Sequence, residues 1–299
     1  MKIIIAGGTG FLGEHLERYF TEKGNQVYIF TRNPKRSNEI YWNAKDLGDW
    51  KNRLENADVL INLTGKSVDC RYHDKNKQEI YTSRIESTHV LQIALDECMN
   101  PPKIWLNASS ATIYVHSETH VNTEENGIIG DDFSMNICKN WEKEFFAINN
   151  EKIRKVALRT SIVLGDKGRA FPKLKAIIRM GLGGKQGRGN QMVSWIHIGD
   201  FCKAVEWIIQ NEEISGPINI TAPEPISNET MMRTLRKKLN IPLGLNAPVW
   251  QLEIASIFLK TETELLLKSR NVYPENLIKR GFRFAFPNFD QALAQLLKP

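Results

Sequence analysis

The chain has 299 residues, 41% of them hydrophobic and 25% charged, with a formal net charge of +6. That usage fits a globular protein with a core larger than one minimal domain, and no apolar stretch approaches membrane-spanning length. The basic residues cluster at 32–36 (RNPKR) and 233–238 (RTLRKK) without interleaved aromatics, so neither a nucleic acid nor a membrane is expected as a partner.

The elements follow in chain order. Met1-Lys2 runs straight into a strand, KIIIA, with no leader-like h-region and cleavage site, so a cytoplasmic protein is expected. A helix, GFLGEHLERYFTEKG, follows, then the strand QVYIFTR, a short Trp-bearing stretch and the strand ADVLINLTG. A helical region from about Lys75 to Met99 leads to the strand KIWLNASS. A second helical region, from about Phe133 to Asn149, leads to KVALRTSIVLG. After a further helix containing VEWII comes the strand GPINITA (216–222). Near-continuous apolar strands alternating with helices imply a parallel sheet covered on both faces, the doubly wound α/β (Rossmann) class.

From about Pro223 the character changes. Ser227 caps a helix, ETMMRTLRKKLN, and WQLEIASIFLKTETELLLKS reads as helix; the tail KRGFRFAFPNFDQALAQLL adds an alternating segment and an amphipathic helix. The expected organisation is a dinucleotide-binding unit over 1–222, with a substrate-side loop near 166–195, and a small, mainly helical C-terminal domain over 223–299. Within that loop Gly181 to Gly189 is glycine-dense, with Lys185 and Arg188 able to meet an anionic ligand.

The stretch IIIAGGTGFLGEHL (3–16) is the most informative. Gly7, Gly10 and Gly13 are spaced G-x-x-G-x-x-G, and Gly8, Gly10 and Gly13 satisfy G-x-G-x-x-G, between a strand and the helix that opens at Phe11 and Leu12. Such a turn lets the backbone approach a pyrophosphate while the helix N-terminus offers unpaired N–H groups. Gly7, Thr9, Gly10, Phe11, Leu12 and Gly13 are therefore the expected cofactor turn. At the end of the second strand stand Thr31 and Arg32 in place of the acid that accepts a ribose 2′-hydroxyl. Arg32, helped by Lys35 or Arg36, suits a 2′-phosphate, so the expected cofactor is NADP. Cys70, Cys98, Cys138 and Cys202 stand singly and read as reduced thiols, and His116 and His120 lack an acidic third ligand, so no metal is expected.

GGTGFLG, NLTG (62–65), SSATIY (109–114) and WIHIGD (195–200) together resemble the extended short-chain dehydrogenase/reductase superfamily. NLTGKSV, RYHDKNKQEIYTSRI, ICKNWEKE, RTSIVLG and ITAPEPISN, with ETELLLKSRNVYPENLIKRGFRF, look like its "epimerase family" branch, along essentially the whole chain. The resemblance implies NADP binding, with Leu63, Thr64 and Gly65 beside the cofactor. It also implies a Ser, a Tyr and, one helical turn after the Tyr, a Lys as catalytic groups. Ser110 matches the serine and Lys139 the lysine, which also holds the nicotinamide ribose. The tyrosine position falls on Met135, which moves no proton. Tyr114 is the preferred stand-in; Lys139 or Cys138 acting directly, or a substrate carrying its own acid, are the other routes. Ser83 and Arg84 read equally as helix surface or as ligand contacts, and Glu142, Lys143 and Glu144 as a solvated helix face. His197 reads as a structural imidazole.

Two functions follow from the resemblance: an NADP(H)-dependent oxidoreductase or epimerase-like enzyme acting on a small molecule, and a non-catalytic NADP(H)-binding protein. Substrate and assembly are left open, a homodimer among the assemblies.

Overall fold

The computed structural model describes residues 1–168, 170–258, 262 and 267–298. Its strands are β1 (Lys2–Ala6), β2 (Gln26–Thr31), β3 (Glu39–Tyr41), β4 (Val59–Asn62), β5 (Ile104–Ser110), β6 (Arg154–Thr160), β7 (Ile162–Leu164), β8 (Met192–Val193), β9 (Trp195–His197), β10 (Gly216–Ile220) and β11 (Ile226–Ser227). The helices are α1 (Phe11–Glu22), α2 (Asp74–Asp96), α3 (Phe133–Phe146), α4 (Ala170–Arg179), α5 (Ile198–Gln210), α6 (Asn228–Lys238), α7 (Val249–Phe258), α8 (Glu275–Lys279) and α9 (Phe289–Leu296). Seven strands form one sheet in the order β10-β6-β5-β4-β1-β2-β3, and every pairing in it is parallel. The chain winds outward from β1 to β3, then returns to β4 on the other side of β1. The crevice at that reversal, outside the carboxyl ends of the strands, is where such sheets bind ligands.

The period of two along each strand sorts the apolar residues into two layers. Ile3, Ile5, Ile29, Ile61, Leu106 and Leu158 face Leu16 and Phe20 of α1 and Phe201, Val205 and Ile208 of α5. Ile4, Phe30, Leu60 and Trp105 face Val90 and Leu91 of α2 and Phe145 of α3, with Trp42 and Trp50 closing the edge. A third cluster joins Phe171 and Ile178 of α4, Met231, Met232 and Leu235 of α6, and Leu293 and Leu296 of α9. The expected fold class is the one observed. No helix among the described residues is long and apolar enough to cross a membrane.

Three details differ from expectation. KVALRTSIVLG is two strands, because Ser161 N–H turns to the Ile220 carbonyl and β7 pairs with β9 outside the main sheet. The alternating tail RFAF forms no strand. Its backbone is instead held by the fully buried Asp200 carboxylate, which accepts from Ala285 N and Phe286 N at 2.8 Å each. The glycine-dense loop is strapped to the C-terminal segment: Leu245 N–H donates to Gly181 O, Gly187 N–H to Ala247 O, and Arg188 pairs with Glu118 at 2.7 Å. Ser227 caps α6 as expected. The helix expected after Phe258 falls at 259–261 and 263–266, outside the described residues.

His197 is structural. Its Nδ1 accepts from Gly199 N–H at 3.0 Å and caps α5, while Nε2 bonds Gln295 Oε1 at 2.8 Å. Burial holds its pKa below the ordinary imidazole value. A depressed folded pKa means that the unfolded chain takes up the proton first, so this contribution is intact above about pH 6.5 and is lost as pH falls below it. The urea midpoint should drop between pH 7.5 and 5.5, and His197→Asn, which keeps a cap acceptor, should shrink that drop; an unchanged drop would assign it elsewhere.

Candidate functional site

The turn after β1 is shaped by its glycines. Gly7 has φ +70°, and a Cβ there would lie 2.8 Å from Thr64 Oγ1 and 2.9 Å from Thr64 Cα. At Gly13 a Cβ would lie 2.2 Å from the Gly8 carbonyl oxygen, so this glycine lets α1 lie against the turn. Gly10 is different: nothing stands within 4 Å of where its Cβ would be. It is also the N-cap of α1 and brings no side-chain cap, so the first N–H groups of the helix face open space with their partial positive charge.

That space is a cleft of about 670 Å³. Gly7, Thr9, Gly10, Arg32, Leu63, Thr64 and Gly65, all expected cofactor residues, line it together with Thr31, Trp42, Lys45 and Ser83. Phe11, Leu12 and Gly13 do not. Phe11 and Leu12 pack on the core layer under α1, and the Phe11 ring lies where a side chain at Gly165 would go. Arg32 is exposed at the cleft edge, and no hydrogen-bond or ion-pair partner for it occurs among the described residues. Arg36 does not assist it: Arg36 grips Glu17 through Nη1 and Nη2 at 2.9 Å each and Glu39 through Nε at 2.7 Å, tying the loop after β2 to α1. Lys45 pairs with Glu86 at 3.1 Å.

The turn after β4 is held from below. Asn62, fully buried, accepts from Thr64 N at 3.0 Å and donates to Asn107 Oδ1 at 2.8 Å, its neighbour in the β4:β5 register. Thr88 Oγ1 lies 3.4 Å from Asn62 Nδ2 and accepts from Trp141 Nε1 at 3.0 Å. An amide at the carboxyl end of two adjacent strands, in LINL and WLNA, is the sequence signal for this network. Two buried polar atoms of cleft-lining residues, Thr64 Oγ1 and Trp42 Nε1, have no partner among the described residues. With the open cradle at Gly10, they fit a bound dinucleotide that brings phosphate and polar ring groups.

A second cavity of about 220 Å³ adjoins the cleft, sharing Leu63 and Gly65. Ser110 and Thr112 line it, and Ser110 Oγ bonds Thr112 Oγ1 at 3.0 Å. Ser109 lines it too, but its hydroxyl is given to Glu142 Oε1 at 2.6 Å. From α3 come Ser134, Ile137, Cys138 and Trp141.

That face corrects the expectation for α3. Glu142 is not solvated: it is 9% exposed and grips Arg159 at 2.7 and 2.9 Å. Turning Glu142 inward puts the residues four and eight positions before it, Cys138 and Ser134, on the same stripe. Lys139, one residue on, is rotated by about 100° and does not line the cavity; Met135 packs against Gly130. Ser134 and Cys138 thus hold the i, i+4 spacing facing the cavity. Burial pushes the Cys138 thiol up to about 12, so it is neutral at ordinary pH and does not act as a thiolate.

Tyr114 is corrected as well. It is fully buried and lines neither cavity; its hydroxyl donates to Asn219 Oδ1 at 2.9 Å and accepts from Arg159 Nη1 at 2.8 Å. Burial raises its pKa. The phenol braces β10 against β6 and does not face either cavity. The cysteines are free thiols. His116 Nδ1 accepts from Ser269 N at 2.7 Å, and among the described residues no group of three or more His, Cys, Asp or Glu side chains could hold a metal ion.

The model of the NAD dependent epimerase/dehydratase family matches residues 3–221, and that of a domain of unknown function, DUF1731, matches residues 247–296. "Epimerase family protein YfhF" of Bacillus subtilis (strain 168) is 34% identical over 99% of this chain and 98% of its own. "Epimerase family protein SA0724" of Staphylococcus aureus (strain N315) is 32% identical over 99% of both. The crystal structure of the human epimerase family protein SDR39U1 (isoform 2) with NADPH has a TM-score of 0.89 at 27% identity, over 99% of both chains. On these matches, and on the sheet and turn that its own residues build, the chain belongs to the NAD dependent epimerase/dehydratase family, within the extended short-chain dehydrogenases/reductases.

Proposed function

We propose that the protein is an NADP(H)-dependent oxidoreductase acting at a carbonyl or carbinol carbon of a small molecule. The observation that carries the cofactor choice is Arg32, a cleft-lining cation without a partner among the described residues, directly after β2, where an NAD-preferring site carries an acid. A nicotinamide dinucleotide, when bound, supplies the hydride donor or acceptor. Gly7 and Gly10 let the backbone approach its pyrophosphate, the α1 N-terminus meets that negative charge, and Arg32 bonds the 2′-phosphate. Thr64 and Trp42 offer their unpartnered polar atoms to the rest of the cofactor. Ser110, supported by Thr112, orients the substrate oxygen. The human relative crystallised with NADPH supports the same choice.

Fluorescence titration with NADPH and NADH tests it. Arg32→Ala should weaken NADPH by about 10- to 100-fold, the worth of a charge-assisted hydrogen bond, and leave NADH within about twofold. Equal losses for both would overturn the 2′-phosphate assignment.

A second reading has its own observation: among the described residues no lysine lines the small cavity, its one thiol is held neutral, and its one phenol, Tyr72, comes from the segment before α2 and not from α3, where the family's tyrosine position is Met135. A non-catalytic NADP(H)-binding protein would look the same there. It predicts that bound NADPH is never consumed, whatever carbonyl compound is offered.

A further inference from the structure

Arg84, on α2, lines the small cavity. Its Nη1 donates to the main-chain oxygens of Ile80 at 2.8 Å and Lys66 at 3.1 Å. Its guanidinium carbon lies 5.0 Å from the centre of the buried Trp141 ring, which fixes its plane. Nε and Nη2 have no acceptor among the described residues. Among the described residues no carboxylate lines the cavity. The nearest acid on α3, Glu142, is committed to Arg159 and Ser109, and Glu79, on α2 like Arg84, to Lys66. Burial pulls the Arg84 pKa below its ordinary value, the direction for a cation without a counter-charge. An arginine held in place by neutral oxygens and an indole, with one edge of its fork unused, is an incomplete ion pair.

We propose that this cavity takes small oxo acids or the corresponding hydroxy acids, with Arg84 binding the carboxylate through its Nε and Nη2 edge and Ser110 and Thr112 receiving the neighbouring oxygen. The cavity volume, about 220 Å³, equals roughly seven water volumes, which suits an acid of a few carbons. A planar carboxylate matches the two parallel N–H bonds of a guanidinium edge. As a statement about substrate class, the proposal rests on the oxidoreductase reading; as a statement about an anion site, it does not.

The test is calorimetric titration of the NADPH-saturated protein with 2-oxobutanoate and with its uncharged amide, alongside NADPH fluorescence titration of each variant. The wild type should prefer the acid over the amide by about 10- to 100-fold. Arg84→Met should abolish that preference with NADPH affinity within about twofold, and Arg84→Lys should retain part of it. Equal or absent binding of the acid by the wild type, a preference that survives in Arg84→Met, or a matching loss of NADPH affinity in that variant would overturn it, the last by assigning Arg84 to the dinucleotide. If the wild type binds no NADPH, the cofactor reading fails separately, and titration of the cofactor-free protein still decides the anion site.

Discussion

Glu142→Gln should destabilise the protein by about 3–5 kcal/mol, the cost of leaving a buried charge unpaired. Arg159 is 7% exposed and reaches Glu142 through both Nε and Nη2. Burial by itself would lower the Arg159 pKa; the hydrogen bonds and charge of Glu142 overcome this, and the net shift is upward. With a neutral amide at 142 the desolvation remains and the compensating charge goes: the amide oxygen still accepts one bond, but the amide nitrogen that replaces the second carboxylate oxygen is a donor facing a guanidinium. Ser109 loses its carboxylate partner in the same step. Urea denaturation at neutral pH measures the loss, and a change below about 1 kcal/mol would show that the pair is more hydrated than its burial indicates. The double variant Glu142→Gln, Arg159→Met should be more stable than Glu142→Gln alone, since no bare cation is left in the core.

Gly13→Ala should cost about 1–3 kcal/mol or more and abolish tight dinucleotide binding. The added methyl would stand 2.2 Å from Gly8 O and 2.4 Å from Gly8 Cα. Both are main-chain atoms, so no side chain can swing aside and α1 must move off the turn. Gly10→Ala is the contrasting case. Its φ of −93° suits any residue and its Cβ meets nothing within 4 Å, so the fold should keep its stability within about 0.5 kcal/mol. The methyl does occupy the cradle, and NADPH affinity should fall by at least about tenfold. Stability and affinity that fell together in Gly10→Ala, or held together in Gly13→Ala, would contradict the division of labour between the two glycines.

The parts of this molecule that were legible in its sequence are those set by neighbours along the chain. Ile3 to Gly13 state strand, turn and helix in one short run, and the turn places Arg32 and Thr64 because β2 and β4 flank β1. The orientation of α3 was not legible in that way. Lys139 stands where a motif would put it, yet the helix is turned by the pairing of Glu142 with Arg159, on a different element, and this brings Ser134 and Cys138 to the cavity. Tyr114 sits four residues from Ser110, but its hydroxyl is claimed by Asn219, 105 residues away. In RFAF the alternation is real, and Phe284 packs against the core. No strand edge receives the segment, because Asp200 takes its N–H groups. Arg84 looks like one polar residue on a long helix until the carbonyls of Ile80 and Lys66 and the Trp141 ring are seen around it.

The most direct measurement is a crystal structure of the protein grown with NADPH. The pyrophosphate should lie at Gly10 and the α1 N-terminus, the 2′-phosphate within hydrogen-bonding distance of Arg32, and the nicotinamide should be directed toward the cavity of Ser110 and Arg84. A dinucleotide bound elsewhere, or one whose 2′-phosphate points away from Arg32 into solvent, would contradict this placement.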